Sequence, residues 1–155
     1  MKYWTQLFCL TALVAGVHAA IKPDFSGEWK LNPARSELGE GFPAPTARTD
    51  AIEHHEPNLR AHVQQVVAGQ QREATFEYTT DGKECINQAF GNTVKAKLQW
   101  EDDALLIHSS MKVGGFGVTL DDRWTLSDGG KVLTISRHIE RPGRKGDQKL
   151  VFEKQ

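Results

Sequence analysis

Apolar and polar residues alternate along most of this chain, in short segments. An extended strand places every second side chain on the same face, so this alternation gives each segment one apolar and one polar face. In the segment 59–67, for example, Leu59, Ala61 and Val63 share one face, and Arg60 and His62 share the other. The segments 94–100 and 118–126 follow the same pattern. One apolar face per strand predicts an antiparallel sheet over a one-sided core.

Turn residues separate these segments at close intervals. Asp81-Gly82, Gly91-Asn92 and Asp128-Gly129-Gly130 suit tight hairpins because glycine accepts a positive φ. The predicted strands are 25–31, 50–56, 59–68, 72–79, 84–90, 93–100, 105–111, 118–126, 131–139 and 148–153. The last strand could pair with the first. The sequence therefore predicts an all-β fold, an antiparallel up-and-down meander that closes into a barrel of about 8–10 strands.

The segment 34–49 is the one long irregular stretch between these strands. Gly39, Gly41, Pro43 and Pro45 lie close together in it, and 35–38 could form a single helical turn. Long loops are unusual in a small domain. This segment is therefore predicted to be a lid or plug over one end of the barrel.

Residues 1–20 have the organisation of a secretory signal peptide. Lys2 supplies the positive start, 7–15 form an apolar run, and 17–19 end in a small-residue cleavage site. The run is shorter than the roughly 20 residues that a membrane-spanning helix needs. We therefore predict a cleaved signal, a single mature domain over 21–155 without a stable membrane anchor, and a periplasmic or extracellular location.

Charge and cysteine content narrow the possible partners. The chain has 19 Lys and Arg against 20 Asp and Glu, without a basic patch interleaved with aromatic residues, so nucleic acid is not expected as a partner. Cys9 leaves with the signal peptide, so Cys85 has no intramolecular disulfide partner and is expected to be a small buried residue. The mature protein is expected to be a monomer.

Gly27-Glu28-Trp29 on the first predicted strand resembles the Gly-x-Trp signature of lipocalins and other calycins. The stretches 25–33, 78–84, 123–127 and 148–154 together resemble a family of small exported bacterial lipocalin-like proteins. This resemblance implies that Gly27 lets the chain bend at the closed end of the barrel. It also implies that Trp29 covers that end and that Arg123 or Arg137 stacks on it. These roles are structural, and the chain lacks the usual lipocalin disulfide and C-terminal helix.

Several side chains are candidates for a site inside the barrel. His54 and His55 point to opposite faces of a strand, so they cannot form a metal clamp together, and no metal or cofactor is predicted. His54 is expected to point inward. Asp122 shares the face of Trp124, so it is also expected inside, where it needs a partner such as Arg137. The predicted ligand-binding residues are His54, Phe76, Tyr78, Trp100, Asp122 and Trp124.

Three functions follow from this barrel. The first is to bind a small apolar or amphipathic molecule in the interior without chemistry, with His54, Tyr78 and Asp122 orienting it. The second is a filled barrel that acts as an interaction module. The third is an enzyme, which requires His54 and Asp122 to converge on a common point at the barrel mouth. A cavity of several hundred Å³ with apolar walls favours binding over the filled barrel.

Overall fold

Ten strands form one antiparallel sheet in the computed structural model, which describes residues 21–155. The predicted signal peptide, 1–20, lies outside the described residues. The strands are β1 Gly27–Leu31, β2 Pro45–His55, β3 Asn58–Val67, β4 Gln70–Thr79, β5 Glu84–Ala89, β6 Asn92–Glu101, β7 Ala104–Val113, β8 Phe116–Ser127, β9 Val132–Arg141 and β10 Arg144–Lys154. Their order in the sheet is β4-β3-β2-β1-β10-β9-β8-β7-β6-β5, so the predicted all-β meander is confirmed.

Two junctions complete the barrel, one between β1 and β10 and one between β4 and β5. β1 pairs with β10, with Trp29 opposite Lys154 and Leu31 opposite Phe152, as the sequence predicts. β4 and β5 lie at the two ends of the sheet order, and the side chain of Asn87 on β5 bridges them. Its Oδ1 accepts from the Glu77 N–H at 2.7 Å, and its Nδ2 donates to the Glu77 carbonyl at 3.1 Å. One amide side chain thus replaces a pair of ladder hydrogen bonds at the seam.

The segment before β2 differs from the prediction. β2 begins at Pro45, five residues earlier than expected, because proline is tolerated as the first residue of a strand. A register shift between Pro45 and Ala47 then sets which side chains point inward. The short helical turn lies at Pro33–Arg35, before its predicted place, because the side chain of Asn32 accepts from two backbone N–H groups there. No helix among residues 21–155 has the length and apolarity needed to cross a bilayer.

The β2–β3 turn is centred one residue earlier than predicted. Asn58 already pairs with His55 in the ladder, so Glu56 and Pro57 form the connection. Glu53 therefore lies opposite Arg60, and His62 lies opposite Ala51. The predicted strands 50–56 and 59–68 imply a turn at 57–58, which would place Glu53 opposite His62, and the observed ladder differs from that register.

Two halves of the barrel interior differ in packing. The turns after β2, β4, β6 and β8 lie at one end, called the closed end, and the turns after β3, β5, β7 and β9 lie at the other, called the open end. Large side chains with at most 1% exposure fill the closed half: Phe25, Trp29, Leu59, Leu98, Leu105, Leu133, Ile135, Leu150 and Phe152. Burial of each such side chain contributes about 1.5–3 kcal/mol. This packed half forms a rigid base beneath the open half.

Candidate functional site

A cavity of about 370 Å³ occupies the open half of the barrel. Its walls are mainly apolar, because the inward positions of seven strands carry aliphatic and aromatic residues there. The apolar lining comprises Phe42, Pro43, Pro45, Ala61, Val63, Val67, Phe76, Phe90, Val94, Ile107, Met111, Val113, Phe116, Val118, Leu120, Trp124 and Ile139. Polar side chains also line it: Arg48, Gln65, Arg72, Tyr78, Ser109, Asp122, Arg137, Arg141 and Gln148. A pocket with apolar walls and a few polar groups has the usual composition of a small-molecule site.

Asp122 and Arg137 form a buried ion pair on the cavity floor. They lie directly opposite each other on β8 and β9. Arg137 donates from Nε and Nη2 to the two Asp122 carboxylate oxygens, both at 2.7 Å. Burial lowers the pKa of Arg137, but the facing Asp122 carboxylate outweighs it, and the net pKa is raised. The inward orientation of Asp122 and its need for Arg137 agree with the sequence analysis.

A second buried ion pair lies on β2. Arg48 donates from Nε and Nη2 to the two carboxylate oxygens of Asp50, at 2.8 and 2.7 Å. Two residues apart on one strand, both side chains point inward. The Asp50 side chain is fully buried, and that of Arg48 is 9% exposed. Arg48 therefore brings a second paired guanidinium to the cavity wall.

Tyr78 adds a phenol to this polar floor. Its ring stacks on Phe76, with ring centres 5.6 Å apart. Burial raises the pKa of Tyr78 well above its ordinary value, and the Asp122 carboxylate raises it further. Tyr78 therefore stays a neutral hydroxyl, able to donate or accept a hydrogen bond, throughout the physiological pH range.

Residues 36–44 cover one side of the open end. Phe42 lines the cavity, and the guanidinium groups of Arg141 and Arg144 lie 5.5 and 5.9 Å from its ring centre. Arg144 also donates to the carbonyl of Gly41 at 2.8 Å. A side chain at Gly146 would place its Cβ 3.0 Å from the Phe42 ring, so any larger residue there would require the ring to shift. The segment predicted as a lid or plug thus contributes part of the cavity wall.

The β7–β8 hairpin forms the other side of the open end. Phe116 lines the cavity yet is 63% exposed, and Val113 opposite it is 47% exposed. Gly114 and Gly115 form the turn between them, both with positive φ. Exposed apolar side chains on a glycine turn suit a site where a small molecule enters and leaves.

His54 lies at the closed end, away from the cavity lining. Its Nδ1 accepts from the Phe25 N–H at 3.2 Å, so the proton is on Nε2, which donates to Glu56 at 2.8 Å. Glu56 also accepts from Trp100 Nε1 and the Thr80 hydroxyl. Burial raises the pKa of Glu56, but hydrogen bonds led by Thr80 outweigh it and lower the pKa overall.

Four of the six predicted ligand-binding residues meet around the cavity: Phe76, Tyr78, Asp122 and Trp124. His54 and Trp100 do not line it, unlike the arrangement expected from the sequence. His54 does point inward, but period-2 alternation does not say how far along the barrel a residue lies. The enzyme hypothesis requires His54 and Asp122 to converge on a common point at the barrel mouth. Asp122 lines the cavity with Arg137, whereas His54 lies at the closed end with Phe25 and Glu56.

The Gly-x-Trp stretch lies at the closed end, but its cationic partner differs from the one implied. Trp29 is fully buried and donates from Nε1 to the Phe25 carbonyl at 2.8 Å. Lys154 Nζ lies 5.3 Å from the Trp29 ring centre. Neither arginine stacks there, because Arg137 binds Asp122 and Arg123 binds Glu101. The pairing of β1 with β10 brings Lys154 into the place expected for an arginine.

We expect Gly27→Ala to destabilise the fold by more than about 1 kcal/mol. Gly27 has φ +135°, and a Cβ there would lie 2.5 Å from Lys154 Cε. Gly82→Ala is the matched control, because Gly82 has a φ of +79° with open space around it. Urea unfolding of both variants measures the difference. Equal losses of stability in the two variants would contradict the larger cost expected at Gly27, whose φ lies outside the left-handed helical region that Gly82 occupies.

Sequence reasoning missed Arg48 as a cavity-lining residue and Asp50 as its buried partner. Both fall in or beside the segment interpreted as an irregular loop. A signal was present, since Arg48, Asp50, Ile52 and His54 occupy alternate positions that lead into the recognised strand.

Among residues 21–155, no three His, Cys, Asp or Glu side chains are grouped as a metal site would require. Cys85 is a free, half-buried thiol at the β4–β5 seam, 3.2 Å from the Thr79 nitrogen.

The sequence matches no protein-family model and no curated protein, but solved structures share the fold. Human cRBP IV has a TM-score of 0.54 and 17% identity, over 86% of this chain and 99% of its own. A secretory abundant heat soluble protein from Ramazzottius varieornatus has a TM-score of 0.53 and 14% identity, over 84% and 94%. Caenorhabditis elegans lipid binding protein 8 has a TM-score of 0.50 and 15% identity, over 84% and 95%. At these identities the likeness shows the antiparallel β-barrel fold alone. The narrower resemblance to an exported bacterial family stays a prediction.

Proposed function

We propose that residues 21–155 form an exported, monomeric domain that binds one small apolar or amphipathic molecule inside the barrel, without chemistry. The observation that carries this proposal is the cavity of about 370 Å³, with apolar walls above a polar floor. The filled-barrel alternative expects a solid interior. Only the closed half is packed in that way.

The distribution of polar and apolar groups around the cavity fits an amphipathic ligand. Asp122 and Arg137 lie near the middle of β8 and β9, and Tyr78 lies near the closed end of β4. Apolar residues such as Phe90, Met111 and Val118 line the space towards the open end. A ligand with one polar group and an apolar body would place the polar group on the floor and its body against Phe76, Phe90 and Met111. The name of C. elegans lipid binding protein 8, which shares this fold, is consistent with such a ligand.

Native mass spectrometry of the protein purified from a periplasm is the direct test. A discrete bound mass that solvent extraction removes supports the proposal and identifies the ligand class. The extracted protein is then titrated with N-phenyl-1-naphthylamine, a neutral probe whose fluorescence rises in apolar surroundings. No bound mass together with no probe binding would overturn the proposal.

Filling the cavity is expected to weaken binding of that probe by about ten-fold or more, because the added volume displaces the ligand. Leu120→Trp serves this purpose, since Leu120 lines the cavity between Ser109 on β7 and Ile139 on β9. Thr119→Trp is the control, because the neighbouring side chain on the strand points to the outer face. Equal probe affinity in the two variants would place the binding site outside the barrel.

A further inference from the structure

Each buried arginine at the cavity floor forms an ion pair with one buried aspartate. Arg48 and Arg137 are the two buried cations, and Asp50 and Asp122 are the two buried anions that bind them through two hydrogen bonds each. The side chains of Arg137 and Asp122 are 16% and 8% exposed. The formal charge of this buried set is therefore zero. Arg72 and Arg141, the other cations of the lining, lie near the open end and are exposed.

A ligand carboxylate has no unpaired buried cation to bind on this floor. It would lie beside the negatively charged carboxylate of Asp122 and would lose its hydration. In return it could accept hydrogen bonds only from the arginine N–H groups that are not used in the two ion pairs. Burying a charge without a dedicated counter-charge is costly, because the protein interior solvates it poorly. The two ion pairs therefore disfavour binding of a ligand whose buried group carries a negative charge.

A neutral polar group finds both kinds of hydrogen-bond partner there. Arg48 and Arg137 each use Nε and Nη2 for the carboxylate, and neither Nη1 has an acceptor among the described residues. These Nη1 groups donate, while the hydroxyls of Tyr78 and Ser109 can donate or accept, and Asp122 accepts. An alcohol, which both donates and accepts, matches this set.

We infer that the cavity selects molecules whose buried polar group is uncharged and both donates and accepts hydrogen bonds, such as a long-chain alcohol, over the corresponding carboxylates. This inference rests on the proposed function, because it concerns the ligand of the same cavity. It assigns the selectivity to the pairing of Arg137 with Asp122, and of Arg48 with Asp50.

The test compares three ligands of equal chain length on the extracted wild-type protein: decanol, methyl decanoate and decanoate. Each is measured at pH 8 by displacement of N-phenyl-1-naphthylamine. We expect decanol to bind about ten-fold more tightly than decanoate or better, with the neutral ester between them. Decanoate binding as tightly as decanol would overturn the inference while leaving the proposed function intact. If the probe and all three ligands fail to bind, the inference is overturned, and the proposed function falls with it when the purified protein also carries no bound mass.

A variant that unbalances the charges tests the assigned cause. Asp122→Asn removes the anion and leaves Arg137 free to bind a ligand carboxylate. We expect the preference for decanol over decanoate to shrink by about ten-fold or to reverse. Asp121→Asn is the control, because Asp121 lies on the outer face with His108 and should keep the wild-type preference. An unchanged preference in Asp122→Asn would overturn the assignment, and should that variant not fold, the wild-type ligand series still decides the inference.

Discussion

Replacing Arg137 with methionine is expected to lower the free energy of unfolding by about 3–5 kcal/mol. The methionine fills a similar volume but leaves the Asp122 carboxylate buried without its cation. Asp122 accepts both of its ion-pair hydrogen bonds from Arg137, each at 2.7 Å. Urea unfolding monitored by tryptophan fluorescence measures the effect. The control is Arg60→Met, which breaks an ion pair to Glu53 whose side chains are 54% and 71% exposed, and which should cost no more than about 1 kcal/mol.

The double variant Arg137→Met, Asp122→Leu distinguishes the net stability that the intact ion pair contributes from the cost of leaving one buried charge without its partner. Removing both charges leaves neither partner as an isolated buried charge, so we expect the stability to return to within about 1 kcal/mol of the wild type or to exceed it. Such a result would show that the ion pair contributes little net stability, and would favour a role in the cavity. A double variant as unstable as Arg137→Met alone would contradict the expectation and show that these side chains stabilise the fold by other contacts.

The sequence predicts much of this cavity because strand alternation is a local property. Asp122 shares the face of Trp124, so its inward position and its need for Arg137 follow from residues close together in the chain and from the cost of burying a charge. The closing of β1 on β10 also follows, since an up-and-down meander brings the two terminal strands together. The fold and one of the two floor ion pairs are therefore within reach of the sequence alone.

The remaining differences depend on long-range geometry. His54 points inward as predicted, but its height along the barrel depends on where the β2–β3 turn lies, and that turn is one residue away from the predicted place. Arg48 was hidden because Pro43 and Pro45 mark a loop, although Pro45 begins a strand. The cation beside Trp29 is set by the register of β1 against β10, which supplies Lys154 in place of an arginine. No repeating pattern of apolar and polar residues encodes any of these three features, so the sequence alone does not predict them.

The division into a packed half and an open half explains how a barrel of this size can hold a ligand and remain stable. Phe25 is important here because it lies before β1 and packs into the closed end, where its ring contacts His54, Trp100 and Trp124. The chain thus adds one aromatic side chain from outside the ladder to the closed end. The open half can then keep its cavity, because the stabilising burial is concentrated below it.

Trp29 should therefore be among the most sensitive positions for stability, although it lies away from the cavity. We expect Trp29→Ala to lower the free energy of unfolding by about 3–5 kcal/mol, since it removes a fully buried indole and leaves a void in the packed half. Trp29→Phe keeps most of the ring volume but loses the hydrogen bond to the Phe25 carbonyl and the full contact with Lys154, so about 1–2 kcal/mol is expected.

Urea unfolding of the two Trp29 variants, followed by circular dichroism because a fluorophore is removed, gives both values. A loss below about 1 kcal/mol in Trp29→Ala would mean that the neighbouring side chains collapse into the void, and that the closed end is not the rigid base inferred here. If the loss is as large as expected, the affinity of Trp29→Ala for N-phenyl-1-naphthylamine at low urea shows whether the closed half also affects the cavity. Unchanged affinity would show that the closed half supports the barrel without shaping the cavity, whereas weakened affinity would show that the floor ion pairs depend on the packing beneath them.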